Sequence, residues 1–103
     1  MEKIEKLKTF LNNSPEDPFL KHALALEYIK LGNDQLATQL FLEILNRDPD
    51  YIGTYYHLGH LMERAGEFEN ARSWYEKGMV AAKNAGDLHV YNELLAAYED
   101  LTE

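Results

Sequence analysis

Residues 21–49 read KHALALEYIKLGNDQLATQLFLEILNRDP, and residues 55–83 read YYHLGHLMERAGEFENARSWYEKGMVAAK. At an offset of 34 residues the two stretches match each other at apolar, small and turn positions. The matched pairs include Leu24/Leu58, Ala25/Gly59, Gly32/Gly66, Ala37/Ala71 and Phe41/Tyr75. A fixed period of this size is typical of arrays in which each unit buries its apolar face against its neighbours. Such arrays usually bind other proteins rather than catalyse reactions.

The apolar residues recur at helical spacing in six segments, and short runs of turn residues separate these segments. Asp17-Pro18 fits the start of the second helix, because aspartate caps a helix and proline suits its first turn. Gly32 and Gly66 are expected to end the second and fourth helices in the left-handed conformation that glycine adopts easily. No proline stops the fifth helix, which we expect to continue to the turn at Gly86. The sequence therefore predicts an all-α fold of about six helices.

The two copies resemble the tetratricopeptide repeat, whose pattern runs W-x2-L-G-x2-Y, then A-x3-F, then P. The first copy reads Lys21-x2-Leu24-Ala25-x2-Tyr28, then Ala37-x3-Phe41, then Pro49. The second copy reads Tyr55-x2-Leu58-Gly59-x2-Met62, then Ala71-x3-Tyr75. The pattern is broken where Lys21 replaces the first aromatic residue, Met62 the tyrosine and Lys83 the second proline. The resemblance implies a right-handed α–α superhelix built from antiparallel helix pairs.

The period also predicts how the chain is organised. We expect a single domain over residues 1–103, with a half repeat at 3–16, because Pro15 lies 34 residues before Pro49. Repeat one is expected at 18–51 and repeat two at 52–85. The segment 87–101 has lost the repeat motif and is predicted to be a capping helix, since terminal units must present a polar outer face.

Composition excludes several classes of protein. The chain has no cysteine, no signal-peptide-like segment and no apolar run long enough for a bilayer, so we expect a cytoplasmic protein. Its net charge of −8 repels phosphate backbones and argues against nucleic acid as a partner. Residues 84–103 hold five acidic side chains and no lysine or arginine. We interpret this run as a solvated acidic face in preference to a site for a basic partner.

No catalytic residues and no cofactor are predicted. The glycines are isolated, so no phosphate-binding loop is evident, and neither serine lies in a nucleophile motif. His57 and His60 are three residues apart on one helix, but a third ligand is not evident, so we predict no metal site. A metal-binding protein or an enzyme therefore ranks behind the two functions below.

In the family that the motifs resemble, the first helix of each pair lines the concave side of the stack. On that basis a partner is expected to contact Phe19, His22, Leu26, Lys30, Tyr56, His60 and Arg64. Some relatives hold a peptide carboxylate with a Lys/Asn clamp on this face, but His22 and Leu26 occupy the first two clamp positions here. That mode of binding is therefore expected to be absent.

The face looks apolar and aromatic, which leaves two functions open. The first is a protein–protein interaction module that binds a peptide or helix of a partner protein in its groove. The alternative is a structural homo-oligomer, such as a homodimer, in which a second copy covers the face and no separate ligand exists.

Overall fold

The computed structural model describes residues 2–102, and these form six helices with no strand among them. The helices are α1 (Glu2–Asn13), α2 (Pro18–Lys30), α3 (Asp34–Arg47), α4 (Gly53–Arg64), α5 (Phe68–Ala85) and α6 (Leu88–Thr102). The predicted all-α fold of six helices is confirmed. The chain forms two compact units that divide between Asp48 and Pro49, so that α1–α3 belong to the first and α4–α6 to the second.

Three of the helices end at a glycine in the left-handed region. The backbone φ angle is 79° at Gly32, 77° at Gly66 and 73° at Gly86. In each case the following residue donates its N–H to a carbonyl five residues back, as in Asn33 N to Tyr28 O at 2.9 Å. These bonds satisfy carbonyls that the helix end would otherwise leave without a partner. The predicted helix stops are therefore confirmed.

Side chains cap the beginning of three helices. The Asp17 carboxylate accepts hydrogen bonds from the Phe19 and Leu20 N–H groups at the start of α2. Asn33 accepts a bond of 3.2 Å from Leu36 N in α3, and Asp87 one of 3.1 Å from Val90 N in α6. Asp87 is half-buried and caps this helix, and it also belongs to the acidic run of residues 84–103.

In the first unit, α2 packs against both α1 and α3. Ala25 on α2 and Ala37 on α3 are fully buried, and so is the ring of Phe41 one turn further along α3. Short side chains at these positions allow the paired helices to approach closely while the large ring fills the neighbouring space. The matched small residues of the repeat thus lie where the paired helices pack closely.

In the second unit, α5 packs against both α4 and α6. A Cβ atom built on Gly59 of α4 would overlap the fully buried ring of Tyr75 on α5. A Cβ atom on Gly78 of α5 would lie 2.6 Å from the Cβ atom of Tyr55 and 2.9 Å from Leu94 Cδ1. The two glycines thus mark places where α5 approaches its neighbours closely.

The lysine that replaces the first aromatic residue of repeat one is buried by the fold. Lys21 is 8% exposed, and its Nζ atom lies 3.1 Å from Glu16 Oε1 and 3.3 Å from Glu43 Oε1. At the equivalent position of repeat two, the ring of Tyr55 is buried and its hydroxyl donates to Pro49 O at 2.5 Å. Each residue ties its helix to the turn before it, one by an ion pair and the other by a hydrogen bond.

Candidate partner-binding site

The predicted contact residues of the first unit all lie on α2 but differ in exposure. Phe19 is 68% exposed in the first turn, and Lys30 is exposed in the last, with its Nζ atom 3.1 Å from Glu27 Oε2. His22 and Leu26 are half-buried between them. The His22 ring lies 5.3 Å from the Phe41 ring, centroid to centroid, so it contributes to packing against α3. Phe19 is therefore the most exposed apolar group of this set.

The predicted contact residues of the second unit lie on α4, where two of them form an aromatic pair. The Tyr56 and His60 rings meet edge to face with centroids 4.4 Å apart. Both rings also lie near the buried Tyr75 ring, at 6.4 Å and 6.1 Å. These contacts hold Tyr56 and His60 in place on the surface of α4, since edge-to-face pairs of rings are mutually attractive. Arg64 is exposed at the end of the same helix.

Glu63 joins this aromatic pair to the core of the unit. Its carboxylate accepts a hydrogen bond from the Tyr75 hydroxyl, and its Oε2 atom lies 4.0 Å from His60 Nδ1. Burial raises the pKa of Tyr75 well above its usual value, and the bond to Glu63 raises it further. The phenol therefore stays protonated and remains a hydrogen-bond donor to this carboxylate.

A groove of about 280 Å³ runs beside the aromatic pair, between α4 and α6. We call it the α4–α6 groove, and its lining residues are Tyr56, His60, Glu63, Glu93, Ala96, Ala97 and Asp100. The lining contains three carboxylates and no lysine or arginine. Two of the sequence-predicted contact residues, Tyr56 and His60, are thus brought together in one concavity, whereas Arg64 is not part of its lining.

The α6 side of the groove was missed by sequence reasoning. Glu93 and Asp100 belong to the run interpreted as a solvated acidic face, and the expected groove was apolar and aromatic rather than acidic. A signal was present in the spacing, because residues 93, 96, 97 and 100 fall on one side of a helix. That signal could not be used, because α6 has no matching copy in the chain from which to read its orientation.

His57 and His60 both lie on α4. His57 is half-buried, and its pKa is lowered by this burial first and then by the proximity of His60. Within residues 2–102, no group of three His, Cys, Asp or Glu side chains is arranged to hold a metal ion. In the same range, no helix has both the length and the apolar character needed to cross a bilayer.

Comparison with known proteins places the chain among helical repeat proteins. Residues 20–51 and 52–83 each match the tetratricopeptide repeat. A crystal structure of a tetratricopeptide repeat domain protein from Salinibacter ruber is 41% identical, with a TM-score of 0.80 over 84% of this chain and 96% of that one. A protein from Bordetella parapertussis, solved in solution, is 26% identical, with a TM-score of 0.84 over 96% of this chain and 86% of its own.

A TPR repeat-containing protein of Pseudomonas aeruginosa is similar at the level of sequence, with 26% identity over 88% of this chain and 87% of the relative. The two matched segments meet between residues 51 and 52. Both the repeat motifs and the helical fold therefore agree with these relatives. The chain belongs to the tetratricopeptide repeat family.

Proposed function

We propose that this chain is a protein–protein interaction module that binds a peptide or helix of a partner protein. The family to which it belongs is a known protein-interaction fold, which supports a binding role over a catalytic one. The proposed contact residues are those predicted from the sequence: Phe19, His22, Leu26, Lys30, Tyr56, His60 and Arg64. We further propose that residues 1–103 act as one domain in the cytoplasm.

The observation that carries this proposal is the α4–α6 groove beside Tyr56 and His60. Grooves between helices are a common place for a bound peptide segment, since a concave surface buries more of the ligand than a flat one. Tyrosine is also among the residues that dominate interface energetics, because its large ring buries a wide area and loses little rotamer freedom. Tyr56 is half-buried and already held by neighbouring rings, so little ordering is needed on binding.

A second candidate function is self-association into a homo-oligomer. It is favoured by large exposed apolar side chains that are not among the proposed contact residues. Phe10 is 55% exposed, Phe68 53% and Val80 62%. A second copy of the chain that covered such residues would remove apolar surface from water.

Photo-crosslinking from the groove distinguishes the two functions. The photoreactive residue p-benzoylphenylalanine replaces Tyr56 in one protein and Val80 of α5, as a probe of the exposed apolar surface, in another. After irradiation in extract of the native cell, we expect position 56 to yield an adduct with a different protein and position 80 to yield none. An adduct between two copies of this chain from either position would support the homo-oligomer instead. Absence of any specific adduct from position 56 would contradict the interaction module, and absence of a two-copy adduct from both positions would contradict the homo-oligomer.

A further inference from the structure

We infer that the α4–α6 groove binds a lysine or arginine side chain of a basic segment in the partner protein. This inference rests on the proposed function and adds the chemistry of the partner. It revises the interpretation of the acidic run, since two members of that run line the groove.

The shape of the groove suits a long side chain with a charged end. Ala96 and Ala97 present small apolar groups on the α6 side, and the Tyr56 ring stands on the α4 side. Lysine and arginine bury their methylene stems along apolar surfaces while the charged end stays near water or an anion. An aromatic ring adds to this, because its face attracts a cation.

The charge of the groove selects a cation over an apolar or acidic group. Its three carboxylates, from Glu63, Glu93 and Asp100, are not accompanied by any lysine or arginine in the lining. An apolar side chain placed there would desolvate these anions without compensation. An acidic segment would be repelled.

The two α6 carboxylates are available to a ligand. Glu93 is half-exposed, and its Oε2 atom lies 3.5 Å from His89 Nε2, a pair that is ionic only when the histidine is protonated. Asp100 is exposed, and its charge contributes to the raised pKa of the Tyr75 phenol. Glu63 is less available to a ligand, since its carboxylate already accepts a hydrogen bond from the Tyr75 hydroxyl.

The net negative charge of the second unit also favours a cationic ligand. Residues 49–103 contain ten acidic and four basic side chains, a formal charge of −6 out of −8 for the whole chain. A cleft lined by one sign of charge concentrates ligands of the opposite sign. A small metal ion is a poorer occupant, because the described residues offer no cluster with the geometry to hold one.

The test uses two peptides that differ only at their arginine positions: one contains arginine, and the other contains citrulline in its place. Citrulline has nearly the shape of arginine but no charge. Titration into the isotopically labelled protein, followed by NMR, should show saturable shifts for the backbone amides of α4 and α6 with the arginine peptide alone. Higher salt should weaken this binding, since exposed charges are screened.

Two double variants distinguish the effect of the groove carboxylates from the effect of the overall net charge. The double variant Glu93→Gln/Asp100→Asn should weaken binding of the arginine peptide by about tenfold, because it removes two partly exposed ionic contacts. The control Asp50→Asn/Glu67→Gln changes the net charge equally, at exposed residues outside the groove. It should leave the affinity within about twofold of the parent, since distant exposed charges are largely screened.

Three results would overturn the inference: no binding of the arginine peptide, equal binding of the citrulline peptide, or equal weakening by the two double variants. Its failure is separable from that of the proposed function. A photo-adduct with a partner at position 56 combined with no preference for arginine would leave the interaction module in place and remove only the basic ligand.

Discussion

At the scale of single residues, the two repeats place side chains of different sizes at equivalent positions of their paired helices. In the second repeat the buried Tyr55 ring lies against Gly78. The equivalent residues of the first repeat, 34 positions earlier, are Lys21 and Ile44, both buried. The larger aromatic residue is thus accompanied by the smallest residue on the facing helix. Gly78 could not be recognised from the repeat alignment, because its partner position holds isoleucine.

We predict that Gly78→Ala destabilises the protein by about 1–3 kcal/mol, because the added methyl group overpacks a close helix contact. The Cβ atom of Tyr55, which would lie 2.6 Å away, is attached to the backbone and cannot rotate aside. The cost of this steric overlap outweighs the higher helix propensity of alanine relative to glycine. The free energy of unfolding in urea measures the effect.

Gly53→Ala is the matched control, because Gly53 has open space around it and lies at the start of α4. It should leave the free energy of unfolding unchanged or slightly increased, since alanine restricts the unfolded chain. Equal stability of the two alanine variants would show that α5 does not approach its neighbours closely at Gly78.

The buried Lys21 leads to a prediction on pH. Its hydrogen bond to Glu16, followed by its charge, lowers the pKa of this carboxyl below the reference value of 4.5. A carboxyl with a lowered folded-state pKa stabilises the fold above its unfolded pKa, and this stabilisation is lost as the pH falls through the folded-state pKa. Lys21→Met removes the ammonium group and keeps a similar volume. We therefore expect the difference in unfolding free energy between parent and variant to change as the pH falls from 7 through this range.

Urea unfolding at several pH values checks this expectation. Lys83→Met is a useful control, because Lys83 is exposed in the last turn of α5 and belongs to the other unit. A difference between the parent and Lys21→Met that stayed constant from pH 7 to well below 4.5 would mean that Lys21 does not stabilise ionised Glu16.

At the scale of helices, α5 is the central element of the second unit and α6 depends on it. Leu94 is fully buried, and its Cδ1 atom approaches Gly78 on α5. The Tyr98 hydroxyl adds a hydrogen bond of 3.1 Å to Glu76 Oε2 on the same helix. These contacts position Glu93 and Asp100 along the groove, so the capping helix also builds part of the candidate site.

We expect Leu94→Ala to cost about 2–5 kcal/mol, since a large apolar side chain is lost from a fully buried position and leaves a cavity. The same substitution at Leu88 of α6, which is 68% exposed, should change the free energy of unfolding by less than about 0.5 kcal/mol. Urea denaturation of both variants gives the comparison. Similar losses at the two positions would mean that α6 does not pack on α5 through Leu94.

At the scale of the whole molecule, the acidic charge is unevenly divided along the chain. Residues 1–48 contain eight acidic and six basic side chains, and the remaining −6 of the net charge lies in residues 49–103. The negative sign of the charge predicts that nucleic acid is a poor partner, because it opposes phosphate backbones however the charges are arranged on the surface. It did not show that part of the charge lines a groove, because that depends on which side of α6 faces α4.

The sequence by itself determined the helices, their glycine stops and the family. These features depend on local backbone preferences and on a 34-residue period, both of which can be read along the chain. Only the tertiary structure decided that α6 places Glu93 and Asp100 beside Tyr56 and His60. Those residues are more than 30 positions apart, and α6 lacks the repeat motif that would have predicted its orientation. The chemistry of the groove therefore depends on how Leu94 of α6 packs against α5. This is a long-range contact that no local sequence pattern predicts.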